Sequence, residues 1–184
     1  MAAEKGLYSF HKKSGEVELF SKLDGFSDVE PILVRYQKQK DLVVIVYKNT
    51  NIDILKGTTV FNIPDILRKT ILGIKEIYDI NFDGNFMNLS CSFGVVQIDL
   101  DKFEVKDSYL NIGPGGTQLS INSFARYSDT FFVATNQGIF FAPSNGVNHS
   151  DFNSWKLLRT AAYSDKLRVY NGRLYAVVDS VLQY

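Results

Sequence analysis

Residues 85–105 read NFMNLSCSFGVVQIDLDKFEV, with apolar residues alternating up to Gly94 and again beyond it. Period-two alternation of this kind is the mark of half-buried β-strands, and one glycine between two such runs marks a sharp corner. The same shape returns at TFFVATNQGIFFA (130–142) and more faintly at LVVIVYKNTNIDIL (42–55). Taking the corner residue as an anchor, Gly6, Thr50, Gly94 and Gly138 stand 44 residues apart. Leu33, Ile77 and Ile121 share that spacing, each 17 residues before its anchor. Two landmarks with one period identify an internal repeat.

Side-chain types follow the same frame. Tyr8, Ile52, Val96 and Phe140 lie two residues past the anchors; Phe10, Ile54, Ile98 and Ala142 lie four past them. One repeat then reads as four strands: Ile77–Phe82, a turn at Asp83-Gly84, Phe86–Ser92, the anchor, Val95–Leu100, a turn at Asp101-Lys102, and Glu104–Tyr109. Equivalent first turns fall at Ser128-Asp129 and Asn171-Gly172. Four antiparallel strands per repeat of this length predict an all-β fold, a partial β-propeller of about four blades. The expected blade units are 1–30, 31–76, 77–119, 120–164 and 165–184 within a single propeller fragment 1–184. A sandwich would need no fixed period.

Two segments interrupt the frame. FNIPDILRKTILG (61–73), with Pro64 near its start and Gly73 after it, predicts a short helix between blades. SNGVNHSDFNSW (144–155) is a longer insertion in one blade. The ends also fall inside repeats: residues 1–6 align with the end of a second strand, and 180–184 with the opening of a third, Ser180 matching Gly94. Two arrangements are open, a ring of four closed by strands from both ends and a piece of a larger propeller; the frame favours the second.

Composition narrows the partners. The 184 residues carry 20 basic and 20 acidic side chains, so no basic face is expected for nucleic acid or an anionic membrane surface. The KQKD run (38–41) reads as a solvated hairpin tip. Cys91 is the single cysteine, which excludes a disulfide framework and a cysteine zinc site, and its strand position reads as buried. No apolar run approaches the roughly 18 residues of a membrane helix, and MAAEKG offers no signal-peptide pattern.

No catalytic, cofactor-binding or metal-binding set emerges. IGPGGT (112–117) lacks the Lys-Ser/Thr that a phosphate loop requires and leads into a strand. It reads as a blade-to-blade loop, and Gly113, Gly115 and Gly116, with Trp155 of the insertion, are the candidates for a partner-facing surface. Trp155 has the competing role of pinning its own loop. His11 and His149 have no ligand neighbours at metal spacing. Asp99 and Asp101 share a strand face beside a turn, where a solvated Asp is ordinary. Asn88-Leu-Ser90 and Asn148-His-Ser150 match the glycosylation acceptor pattern.

The segments 80–116 (INFDGNFMNLSCSFGVVQIDLDKFEVKDSYLNIGPGG), 131–143 (FFVATNQGIFFAP) and 6–30 (GLYSFHKKSGEVELFSKLDGFSDVE), with NIDIL (51–55) and FNIPDILRKTILG, carry a resemblance that spans nearly the whole chain. Together they resemble the N-terminal propellers of a Bacteroidetes surface protein family. That family belongs to the attachment complex of the type IX secretion system and delivers anionic lipopolysaccharide to the sortase. Two-component-regulator propeller repeats of periplasmic sensors are relatives. The resemblance implies a long parent protein of two propellers and a C-terminal sandwich, of which this chain supplies about four blades of the first. It also implies an exported, non-catalytic module at the cell surface or in the periplasm, with no cofactor, docking secretion-complex proteins such as a sortase-like partner, or anionic lipopolysaccharide. The alternatives are a ligand-sensing propeller of a hybrid two-component regulator and, less favoured, a propeller lyase or glycosidase. The family has no catalytic motif to carry over.

Overall fold

Alternating apolar residues cannot be buried by a lone hairpin, so they require sheets that pack on one another. A computed structural model describes residues 2–3, 6–161 and 163–184. The chain divides into two compact units, Met1–Thr70 and Ile71–Tyr184.

The first unit holds two antiparallel sheets. One contains β1 (Ala2–Ala3), β2 (Gly6–Phe10) and β3 (Val17–Phe20). The other is a meander of β4 (Pro31–Gln37), β5 (Leu42–Tyr47), β6 (Ile52–Lys56) and β7 (Thr59–Ile63). Leu7, Phe26, Ile45 and Tyr47 form the buried cluster that joins them. Behind this layer Asp53, with no exposed surface, accepts from Ser27 N and Oγ (both 2.7 Å), the Tyr47 hydroxyl (2.8 Å) and Asn62 Nδ2 (2.9 Å). Those donors tie the segment entering β4 to the sheet, and they meet the solvation demand of a buried carboxylate. The predicted helix over 61–73 is shorter than expected. Phe61 to Ile63 remain in β7, and only α1 (Asp65–Arg68) is helical, because Lys69 turns extended at ψ 128°.

The second unit holds three sheets. The third sheet of the chain is β8 (Ile77–Asp83), β9 (Phe86–Cys91), β10 (Gly94–Asp99) and β11 (Glu104–Tyr109). The fourth is β12 (Ile121–Tyr127), β13 (Thr130–Thr135), β14 (Gly138–Pro143) and β15 (Lys156–Thr160). The fifth is β16 (Ser164–Tyr170), β17 (Arg173–Val178) and β18 (Val181–Gln183). Val95, Ile121, Phe124 and Phe131 lie in the core between the third and fourth sheets; Ala134, Ile139, Leu167 and Val178 lie between the fourth and fifth.

The pairing register corrects the repeat frame in detail. Gly94 pairs with Cys91 and Gly138 with Thr135, so these two anchors are true equivalents, as is Gly6 opposite Ala3. In the second sheet the corner is one residue longer: Val46 pairs with Ile52, and Tyr47 N donates to Asn51 O at 2.9 Å. Asn51 therefore takes the glycine's register position, and Thr50 is the added residue, in the left-handed region at φ 71°. Leu33 is displaced as well. Tyr47, three before its anchor like Cys91 and Thr135, pairs with Pro31. The KQKD hairpin, closing from Gln37 to Leu42, is two residues longer than the one closing from Asp83 to Phe86. A two-residue offset preserves the face, so the alternation hid it. At the end of the chain Val181, not Ser180, stands where Gly94 does, since it pairs with Val178.

Within its own unit, β1 pairs with β2 at one edge of the first sheet, and β18 pairs with β17 at one edge of the fifth. The second-strand end expected over 1–6 is seen at Ala2–Ala3; Met1, Glu4 and Lys5 lie outside the described residues.

Candidate interaction surface

Two loops of the second unit meet on one surface. Residues 110–120 cross from β11 to β12, anchored by Ile112 and Leu119, each 1 % exposed. Between them Pro114–Gly116 make one 3-10 turn, with Gly115 at φ 66° and Gly116 at φ 78°, conformations that disfavour a side chain. Gly113 N donates to Thr117 O (2.9 Å), Gly116 N to Gly113 O (2.9 Å) and Thr117 N to Pro114 O (3.4 Å). A phosphate cradle needs such N–H groups aimed outward. Here three of them close the loop on itself, and the geometry is that of a connector. A Cβ on Gly116 would sit 3.3 Å from the Phe152 ring, which places the insertion directly against this loop.

The insertion is built from its own caps. Asp151 accepts from Asn153 N at 2.9 Å at the start of the 3-10 turn Phe152–Ser154, and Ser154 Oγ donates to Asn148 O at 2.8 Å. Trp155 is 6 % exposed, and its indole N–H donates to His149 O at 2.9 Å. Trp155, a candidate for facing a partner, thus faces inward and holds its loop. The His149 ring lies 5.1 Å from Tyr109, 5.0 Å from Phe131 and 6.1 Å from Trp155, and its Nε2 bonds Pro143 O at 2.8 Å. Burial, with the charge of Asp107 adding to it, pushes the Tyr109 hydroxyl up to about 12. Among the side chains and backbone that the surface presents outward are Pro114, Gly115, Gln118, Asn148 and Phe152, an uncharged set.

A second polar group lies on the first strands of successive sheets. Asp79 of β8, 1 % exposed, accepts from Arg168 of β16 in two-pronged fashion, Nη1 to Oδ2 at 2.8 Å and Nη2 to Oδ1 at 3.2 Å. Ser123 of β12 adds its hydroxyl at 2.9 Å. Burial alone would raise the Asp79 carboxyl, but the guanidinium and hydroxyl outweigh it and hold the group below the usual carboxylate range. Arg126 of β12 repeats the linkage nearby, with Nη1 3.2 Å from Asp83 Oδ2. Sequence reasoning missed this group. No local signal marked it: Asp79 takes a polar place in the alternation of IYDINF, between Tyr78 and Ile80, and its burial comes from the neighbouring sheets.

The remaining candidates stay apart. Asp99 Oδ1 accepts from the N–H groups of Asp101 (2.8 Å) and Lys102 (3.2 Å), which lower its pKa and make it a turn residue. His11 bonds Ser14 Oγ at 2.7 Å in an exposed turn. Asn88, with no exposed surface, is closed to glycosylation in the folded chain. Cys91 is fully buried, and desolvation pushes its thiol pKa up. Among the described residues no cluster of three His, Cys, Asp or Glu side chains could hold a metal ion, and no helix is long and apolar enough to cross a membrane.

Antiparallel four-stranded meanders repeating along the chain, packed face to face through apolar layers, define a β-propeller protein. The chain belongs to the family described as TSS9, PorZ, N-terminal beta-propeller domain, whose profile matches residues 1–156. Among solved structures it is similar to PorZ, described as an essential bacterial surface component of the type-IX secretion system of Porphyromonas gingivalis. There the TM-score is 0.84 at 22 % identity, over 96 % of this chain and 23 % of the other. It is also similar to the extracellular domain of the one component system BT4673 from B. thetaiotaomicron, with TM-score 0.72 and 10 % identity over 98 % and 25 % of the two chains. The chain thus spans about a quarter of the length of these solved relatives. No curated protein sequence matches it.

Proposed function

We propose that this propeller is a non-catalytic scaffold of a cell-surface type IX secretion attachment complex, presenting loops to a partner protein or to lipopolysaccharide. Membership of the PorZ N-terminal propeller family over residues 1–156 is the observation that carries this reading. The structure supports it with a surface suited to docking: two loops locked together by Gly116 against Phe152, above an aromatic layer of Tyr109, Phe131, His149 and Trp155. Such preorganisation lowers the ordering cost of binding, as a surface that holds partners without chemistry requires. The uncharged character of the exposed set favours a protein partner over an anionic glycolipid at this particular surface.

The test is made in the parent protein at its native level. Phe152→Glu together with Gln118→Ala alters the exposed loops and spares the buried aromatic layer. The expected outcome is loss of co-purification with the secretion-complex partners at unchanged melting temperature. Undiminished co-purification, with secretion intact, overturns the assignment of this surface. A ligand-dependent kinase response from the parent protein would install the sensory alternative instead.

A further inference from the structure

We propose that a single resident water molecule is built into the layer between the third and fourth sheets, held by Asn88 Nδ2 and Ser90 Oγ of β9. Both side chains have no exposed surface, and both atoms lack a protein hydrogen-bond partner. Orphaned polar atoms at such depth are rare in native proteins, and the usual remedy is ordered water.

The register places the two atoms together. Residues two apart on a strand point to the same face, about 6.4–6.8 Å apart along it. One water bonding to each at about 2.8–3.0 Å spans roughly 4.5–5 Å at its tetrahedral angle and at most about 6 Å, a gap reached when two side chains on one face converge. Ser90 is paired with Asp79 on one side and Val95 on the other, and directly paired residues share a face. Asp79 bonds Ser123, and Val95 packs with Ile121 and Phe124, so this face looks onto the fourth sheet. Asn88 is in turn paired with Gln97, whose Nε2 donates to Asn88 Oδ1 at 3.0 Å. The water joins Ser90 to the Gln97–Asn88 hydrogen bond and so extends that polar seam along β9 toward Asp79, the cross-strand neighbour of Ser90. Ser90 can donate to it and Asn88 Nδ2 must, so the water accepts from the amide and keeps a proton free for a further acceptor. Water is favoured over a cation because Asn88 offers only a donor there. This inference is independent of the secretion reading.

A crystal structure of the protein at about 1.5 Å resolution decides it, with magnetic relaxation dispersion of water oxygen as the solution measurement. One fully occupied water within hydrogen-bond reach of both atoms is expected, together with the loss of one long-lived water from the dispersion of Ser90→Ala. Empty density at the site, or an Asn88 amide rotated onto a protein acceptor, overturns the proposal. Should Ser90→Ala fail to fold, the wild-type structure alone still decides.

Discussion

Ser123 donates its hydroxyl to Asp79 at 2.9 Å, and the two residues occupy the same position in successive repeats, 44 apart. Equivalent positions of neighbouring sheets are brought into contact by the packing, and here that contact is used for a buried carboxylate instead of for two apolar side chains. Arg168 completes it from the next sheet. The pair is asymmetric, with side-chain exposure of 46 % for Arg168 and 1 % for Asp79. Removing the arginine strands a buried charge, whereas removing the charge leaves an arginine that water can reach. Arg168→Ala is therefore expected to cost about 2–3 kcal/mol and Asp79→Asn about 1–2 kcal/mol. Urea unfolding of both variants measures the order; a larger loss for Asp79→Asn would refute the account.

The same carboxylate makes stability depend on acid. Its folded pKa lies below the unfolded value of about 3.9. The stabilisation is thus fully present above that value and is lost as pH falls through the folded pKa. Wild-type melting temperature is expected to decline below about pH 4, and the decline to be shallower in Asp79→Asn. Parallel acid profiles for the two proteins would remove Asp79 from the explanation.

Gly94 and Gly138 test the anchors. Their φ angles are 133° and 126°, and a Cβ would lie 2.3 Å from Tyr109 O and 2.1 Å from Arg159 O. Backbone strain and a backbone collision act together, so Gly94→Ala and Gly138→Ala are each expected to cost about 3 kcal/mol or more. At Gly6 the clash is with the end of the Leu19 side chain, at 2.8 Å, which can move. Gly6→Ala is expected to cost about 1 kcal/mol or less. Thermal unfolding separates the two classes, and similar losses at all three positions would contradict the register.

The corner glycines show how far the sequence could be read. Gly94 announced a break between strands because alternation stops and restarts there, and that rests on local chemistry. Its deeper cause, the carbonyl of the fourth strand passing against it, is a contact between residues 15 positions apart that no local pattern encodes. Leu33 and Thr50 fitted the period without being equivalents: two extra residues in the hairpin and one in the corner push the true equivalents, Pro31 and Asn51, outward on either side of them. The loop surface was legible only as glycines and an insertion. That Trp155 turns inward follows from His149 and Tyr109 converging on it, with Phe131 against the His149 ring, which requires the fold. Asp79 takes an ordinary polar place in the alternation, and its partner lies 89 residues away, so neither its burial nor its pairing is encoded locally.

Tyr109 gives a marker at the alkaline end. Burial raises its pKa to about 12, so the folded state binds the phenolic proton more tightly than the unfolded one. Its contribution to stability is fully present below the unfolded value of about 10 and is lost as pH rises toward 12. Phenolate absorbance is expected to show late-titrating tyrosines, with Tyr47, raised by burial and its bond to Asp53, titrating later still. Tyr109→Phe is expected to remove one phenolate from the component at about 12; an unchanged component there would place that titration elsewhere.

Trp155 separates packing from hydrogen bonding within the loop surface. Trp155→Ala removes a nearly buried indole from the layer shared with Tyr109 and His149, for an expected loss of about 3–5 kcal/mol. Trp155→Phe keeps most of the bulk but leaves His149 O without its donor, for a loss of about 1–2 kcal/mol. Hydrogen exchange adds the local readout: amides of 144–155 should lose protection in Trp155→Ala while those of β9 and β10 keep theirs. If the alanine variant instead melts as the wild type does, with the insertion still protected, then the indole is not what holds the loop, and the order of the insertion must come from its backbone turns alone.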